Sequence, residues 1–156
     1  MGILYLNKMS KITNIQVVCF ANYCRSPVAE KILQSLTSEN TNVTSTGISP
    51  MVTSTMDKRS KKFLEDEGYN AELFIPKKVT SSMIMECKLT LALDFKVFKT
   101  LIDNYGKRKS IKMFNFLEPS TLVPDPYNCN SEDYLFIMKD IKRLCMGLSE
   151  YINNDL

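Results

Sequence analysis

The sequence predicts one α/β domain in three layers: a four-stranded, mainly parallel sheet flanked by helices. Short apolar runs of strand length alternate with longer stretches whose apolar residues recur at helical spacing. Strands separated by helices are joined by crossovers, which parallel neighbours require and which cover both faces of the sheet. A chain of 156 residues, 44% apolar and 24% charged, has the composition of a single globular core rather than of a disordered polymer.

The first strand is read at residues 15–20, after polar Thr13 and Asn14. In the segment that follows, Val28, Ile32 and Leu36 form one stripe with Ala29 and Leu33 beside it. Ser26 is the expected N-cap of that helix and Pro27 its first helical residue. A second strand is placed at 43–46. A loop rich in Ser, Thr and Pro leads to a short helix over 57–67, stopped by Gly68. KLTLAL at 88–93 reads as a buried central strand. Phe95, Phe98, Leu101 and Ile102 predict a helix ending near Gly106, and 111–116 is the fourth strand. From 132 to 152, Ile137, Ile141, Leu144, Cys145, Leu148 and Ile152 recur at helical spacing, predicting a long amphipathic helix packed across the sheet. The domain is expected over 14–156, with 1–13 a less ordered N-terminal extension.

Charge and cysteine usage narrow the function. The net charge is +3 and the Lys and Arg residues are scattered, which argues against nucleic-acid or membrane-surface binding and mildly favours anionic substrates. The apolar run at 3–6 is far shorter than a signal peptide's core, and no window approaches the roughly 18 apolar residues of a membrane span. Leu6 stands where a myristoylation signal wants Ser or Thr. A cytoplasmic protein without membrane insertion is expected. Cys19, Cys24, Cys87, Cys129 and Cys145 are odd in number and unevenly spaced, unlike a secreted disulfide framework. Cys87, Cys129 and Cys145 are read as structural.

In parallel sheets ligands bind beyond the carboxyl ends of the strands, which directs attention to the loop after the first strand. That loop begins with Cys19 and ends with Arg25-Ser26-Pro27 at a helix start. Converging loop amides and the helix N-terminus, with roughly half a positive charge, make a pocket for a tetrahedral dianion. Arg25 has the fork geometry to bind two phosphate oxygens, and a Cys19 thiolate in the same field is stabilised, so it is expected to be ionised and nucleophilic. Ester cleavage also needs a proton for the leaving oxygen. Asp125, between Pro124 and Pro126, is the candidate donor, its backbone stiffened on both sides. The chain has no His, so a Cys-His nucleophile is excluded. Asp94 is read as a helix N-cap rather than a catalytic group.

With those residues in place, VVCFANYCRSPVAE and VPDPYNCNSEDY resemble the two signature segments of the low-molecular-weight protein tyrosine phosphatases, in the same order and at a similar separation. Weaker likenesses lie at Ser45-Thr46-Gly47, at Asp57-Lys58-Arg59 before a helix ending at Gly68, and at Leu93-Asp94, so that the resemblance runs from about residue 15 to the end. It implies a phosphotyrosine protein phosphatase I-like fold. It also implies metal-independent hydrolysis of phosphotyrosine and small aryl phosphate monoesters through a cysteinyl-phosphate intermediate, with no cofactor.

By position, the resemblance makes Cys19 the nucleophile, Arg25 the clamp on the equatorial oxygens and Asp125 the acid that later activates water. Phe20, Ala21, Asn22, Tyr23, Cys24, Arg25 and Ser26 become the phosphate-binding segment. In it Asn22 braces the loop, Ser26 stabilises the thiolate, and Cys24 is the redox partner in a protective disulfide. Met51 and Tyr127 become walls of the slot for the substrate ring. A monomer acting on a phosphotyrosine-containing protein, inhibited by phosphate-like oxyanions, is the implied behaviour.

Departures from the pattern are Ala21 in place of a common Gly, Asn128 in place of a common aromatic, and Cys129 in place of another Gly. The first asks whether position 21 needs a positive φ; the others bear on substrate preference. Two rivals are an arsenate reductase of the same fold and a catalytically silent phosphotyrosine-binding module. The first needs two further relayed cysteines where only Cys87 is available, and the second is unsupported while nucleophile and acid are both present.

Overall fold

The computed structural model describes residues 11–156. In chain order its elements are β1 (Thr13–Cys19), α1 (Arg25–Leu36), β2 (Thr41–Gly47), α2 (Lys58–Asp66), α3 (Ser81–Glu86), β3 (Leu89–Ala92), α4 (Phe95–Tyr105), β4 (Ile111–Met113) and α5 (Ser131–Asp155). The strands form one sheet in the order β2-β1-β3-β4, every pairing parallel, as the alternation of strands and helices predicts. Residues 1–10, most of the expected extension, lie outside the described residues, and Thr13 is already paired with Thr41 in β1.

The sheet is buried on both faces. Ile15, Val17 and Cys19 of β1 point to one side, where Val28, Ile32 and Leu33 of α1, Leu64 of α2 and Met138, Ile141 and Cys145 of α5 close the larger core. Val18 points to the other side, against Ile84 of α3 and Val97 and Leu101 of α4. Gln16 shares this second face and is fully buried, yet satisfied: its amide donates to Thr90 Oγ1 (3.1 Å) and its oxygen accepts from Thr46 Oγ1 (3.1 Å). These two bonds tie β1 to both of its neighbours at a point where an unpaired amide would cost about 1–3 kcal/mol.

Four sequence expectations are corrected. Ser26 is not the N-cap: α1 begins at Arg25, Cys24 takes the cap position without a side-chain bond, and the Ser26 hydroxyl is committed elsewhere. Pro27 accordingly lies inside the first turn, where its missing N–H still costs no helical bond. The fourth strand is only three residues long, because Phe114 leaves the ladder to bury its ring after donating its N–H to Ala92 O (2.7 Å). Helix α3 was not foreseen. Six residues with one buried side chain, Ile84, are too few to show a period, although Thr80 caps it through Met83 N. The remaining elements fall where the pattern places them, including the stops at Gly68 and Gly106.

In the order β2-β1-β3-β4 the chain leaves β1 toward opposite edges of the sheet. The crevice beyond the C-terminal end of β1 is therefore the topological switch point, and the Cys19 loop occupies it.

Candidate active site

The loop between β1 and α1 is turned so that its carbonyls face outward. Cys19 O accepts from Ile48 N (3.1 Å), Phe20 O from Ser49 N (2.8 Å), Ala21 O from Met51 N (2.9 Å), Tyr23 O from Asp57 N (3.0 Å) and Cys24 O from the Ser60 hydroxyl (2.7 Å). In a planar trans peptide the N–H points opposite to the preceding C=O, so the amides of Phe20, Ala21, Asn22, Cys24 and Arg25 are turned inward. The absence of a side-chain cap on α1 has the same consequence, because its first amides remain available to an anion.

Asn22 decides the shape of the loop. Its φ is +49°, a left-handed conformation that Asn tolerates better than most residues, so the positive φ falls on Asn22 and Ala21 needs none. The departure at position 21 is thereby accommodated. Asn22 is fully buried; its Oδ1 accepts from Lys77 N (2.9 Å), while its Nδ2 donates to Ser26 Oγ (2.8 Å) and Ser45 Oγ (2.9 Å). The Ser45 hydroxyl in turn donates a hydrogen bond to Glu30 Oε1 (3.1 Å). Gly47 runs directly beneath this turn: a Cβ there would stand 2.8 Å from Asn22 N and 2.9 Å from Phe20 O, closer than any real contact.

Cys19 Sγ lies 2.9 Å from Ser26 Oγ. Because that oxygen already accepts from Asn22, its hydroxyl proton is free to point at the sulfur, the alternative acceptor Thr46 O being 3.5 Å away. Ser26 can thus donate to the sulfur. Arg25 is only 2% exposed, and its Nη1 donates to Asp94 Oδ2 (2.8 Å) and Val123 O (2.8 Å). The sequence reading of Asp94 as an N-cap holds, since Oδ1 accepts from Val97 N (2.8 Å), but its second oxygen neutralises the buried guanidinium, a role the sequence did not reveal. The available signal was topological: Asp94 follows β3, the strand beside β1.

These elements enclose a cleft of about 230 Å³ lined by Cys19, Phe20, Ala21, Tyr23, Cys24, Arg25, Met51, Asp125 and Tyr127. The expected catalytic trio and both expected slot walls thus meet in one cavity, while Asn22 and Ser26 stand behind it as braces. Tyr23, expected only as part of the phosphate-binding segment, is a further wall, its ring centroid 6.4 Å from that of Tyr127. Asp125 Oδ1 accepts from Tyr127 N (3.1 Å), a local turn that fixes the carboxyl group between its two prolines.

All five cysteines are free thiols. Burial pushes the Cys24 thiol up to about 12, against a lowering hydrogen bond from Tyr134, and its Sγ lies 3.7 Å from Asp57 Oδ2. Cys24 is therefore protonated at neutral pH. Burial also pushes up the thiols of Cys87, to about 11, and of Cys145, which sits in the core as its helical stripe predicts.

A sulfur on the floor of inward-facing amides, a guanidinium beside it and a carboxyl group across the cleft have the chemistry of a cysteine-dependent phosphatase. Comparison with known proteins agrees. The family model described as low molecular weight phosphotyrosine protein phosphatase matches residues 14–156. The low molecular weight protein-tyrosine-phosphatase Ptp of Acinetobacter johnsonii is 29% identical over 116 residues, 73% of this chain and 80% of its own. A low molecular weight phosphotyrosine phosphatase structure from Vibrio cholerae O395 superposes with a TM-score of 0.80 at 26% identity, covering 90% of this chain and 96% of that one. The YwlE arginine phosphatase from Geobacillus stearothermophilus shares the fold at a TM-score of 0.82 and 20% identity, over 90% and 92% of the two chains. The chain belongs to the low molecular weight phosphotyrosine protein phosphatase family.

Proposed function

We propose that the protein hydrolyses phosphotyrosine in protein substrates, and small aryl phosphates, through a cysteinyl-phosphate intermediate. The observation that carries this reading is the 2.9 Å approach of Ser26 Oγ to Cys19 Sγ on the floor of the cleft that Asp125 also lines. Phosphate oxygens accept from the inward amides and from Arg25, which offset the charge of the transferring group. The Cys19 thiolate forms the S–P bond as the P–O bond to the phenol breaks, and Asp125 gives its proton to the departing oxygen. The Asp125 carboxylate then takes a proton from water, which attacks phosphorus and releases phosphate and the free thiolate. Tyr23 and Tyr127 supply flat ring faces and Met51 a flexible apolar side chain, together suited to a phenyl ring.

No helix of the described residues is long and apolar enough to cross a membrane. That the enzyme is cytoplasmic and acts as a monomer is part of the same proposal. Free oxyanions such as phosphate compete for the same amides. With peroxide as oxidant, Cys19 becomes a sulfenic acid; attack by Cys24 sulfur then forms the disulfide with loss of water.

The fold alone does not choose a substrate. The purified protein is expected to turn over p-nitrophenyl phosphate and a phosphotyrosine peptide in the presence of a chelator, and Cys19→Ser to abolish both. Turnover persisting in Cys19→Ser overturns the mechanism. Faster turnover of phosphoarginine than of phosphotyrosine, or arsenate reduction in place of hydrolysis, overturns the substrate class.

A further inference from the structure

Asp125 is exposed, and the segment around it is held from outside rather than by a dense local network. On its N-terminal side Arg25 grips Val123 O. On its C-terminal side the grip comes from Arg59 in the first turn of α2: Nη2 donates to Tyr127 O (3.0 Å) and Nη1 to Cys129 O (3.1 Å).

Arg59 is itself fixed from two sides. Its Nε and Nη2 donate to the two oxygens of Asp57 (3.1 and 2.9 Å), and its guanidinium carbon lies 4.0 Å above the centre of the Tyr134 ring. Both supports reach the Cys19 loop. Asp57 donates its N–H to Tyr23 O, and the Tyr134 hydroxyl shares a bond of 2.5 Å with Ser60, whose hydroxyl donates to Cys24 O. Burial pushes the Asp57 carboxyl up, but the bonds from Arg59 outweigh it and the net displacement is downward, so the pair is charged at neutral pH.

We infer that Arg59 is a positioning residue for the general acid, locking the Asp125 segment to the Cys19 loop so that the carboxyl group stands over the leaving oxygen. This rests on the assignment of Asp125 proposed above. The path is short: Asp125 Oδ1 accepts from Tyr127 N, and Tyr127 O accepts from Arg59. Any shift of the Tyr127 residue that follows loss of the guanidinium moves the carboxylate and the slot wall together. Four guanidinium bonds to three acceptor residues use the planar fork, which the three rotatable donors of a Lys ammonium do not reproduce.

The test uses the full chain and two substrates, phenyl phosphate, whose leaving group needs the proton, and p-nitrophenyl phosphate, whose leaving group needs it far less. Arg59→Ala is expected to lower kcat on phenyl phosphate by on the order of 10- to 100-fold and on p-nitrophenyl phosphate by less than about 3-fold, the cost of a misplaced catalytic group. The inhibition constant for inorganic phosphate should stay within about 3-fold, because the anion-binding amides are untouched. In an Asp125→Asn background the same substitution should add almost nothing. Arg59→Lys keeps a positive charge beside Asp57 and Tyr134, so it reports even where Arg59→Ala fails to fold, and it should show the same leaving-group dependence. Equal losses on both substrates in the Arg59 variants, or a full Arg59 effect in the Asp125→Asn background, overturn the proposal while leaving Asp125 in place. Equal losses in Asp125→Asn alone overturn the acid assignment, and the positioning role with it.

Discussion

The two loops that face each other across the cleft are built on different principles. In the Cys19 loop nearly every carbonyl is claimed by a neighbouring N–H or hydroxyl, Asn22 and Ser26 are fully buried, and Gly47 fits beneath with no room for a methyl group. In the Asp125 loop the carboxyl group is exposed, two prolines stiffen the chain, and two guanidiniums hold the carbonyls on either side. An oxyanion nest must have its amides in place before the phosphate arrives, since reorganising them during reaction would forfeit their stabilisation. The role proposed for Asp125 has a looser requirement: a proton donor must reach one oxygen, and a stiff strap clamped at both ends meets that need.

If the contrast is correct, the two loops fail in different ways. The largest effect is expected for Asp125→Asn on phenyl phosphate, a loss in kcat of about 10² to 10⁴-fold, with a much smaller loss on p-nitrophenyl phosphate. A leaving-group series on the purified variant measures it; a uniform loss would remove the distinction between the loops. Next, Gly47→Ala should lower kcat/KM by about 100-fold on every aryl phosphate alike, because its Cβ would meet Asn22 N at 2.8 Å and displace the nest itself. Its phosphate inhibition constant should rise in parallel, and a normal constant would show that the loop yields without cost. A smaller effect is expected for Asp94→Asn, which keeps an acceptor for Val97 N but removes the charge opposite Arg25. A loss of about 10-fold in kcat/KM, carried by both classes of leaving group, would place Asp94 with the Cys19 loop. A loss confined to poor leaving groups would place it with the Asp125 loop instead, through Val123.

The sequence made much of this legible, for reasons that differ by residue. Cys19, Arg25 and the start of α1 are close in the chain, so their mutual field follows from a strand, a short loop and a helix in succession. Asp125 was a candidate only through its pairing with the Cys19 loop in the family pattern, since a proline on each side by itself marks no more than a turn. Ser26-Pro27 has the form of a helix start, and that local rule misled: the hydroxyl that would have capped α1 is aimed at Cys19 instead. At Ala21 the family pattern raised a question about the backbone, and the fold answered it one residue later, at Asn22.

By itself the sequence determined the α/β class, the elements long enough to show a period, and the placing of Cys19 and Arg25 in one loop between a strand and a helix. Only the tertiary structure decided the rest: the neutralisation of Arg25 by Asp94, the bracing of Asn22 by Ser45 and Lys77, the clearance at Gly47, the Tyr23 wall, and the bonds from Arg59 to the carbonyls of Tyr127 and Cys129. The reason is physical. Periodicity and turn chemistry act over a few residues, whereas these contacts join positions tens of residues apart, and they exist because the strand order β2-β1-β3-β4 brings the C-terminal ends of separate strands to one crevice.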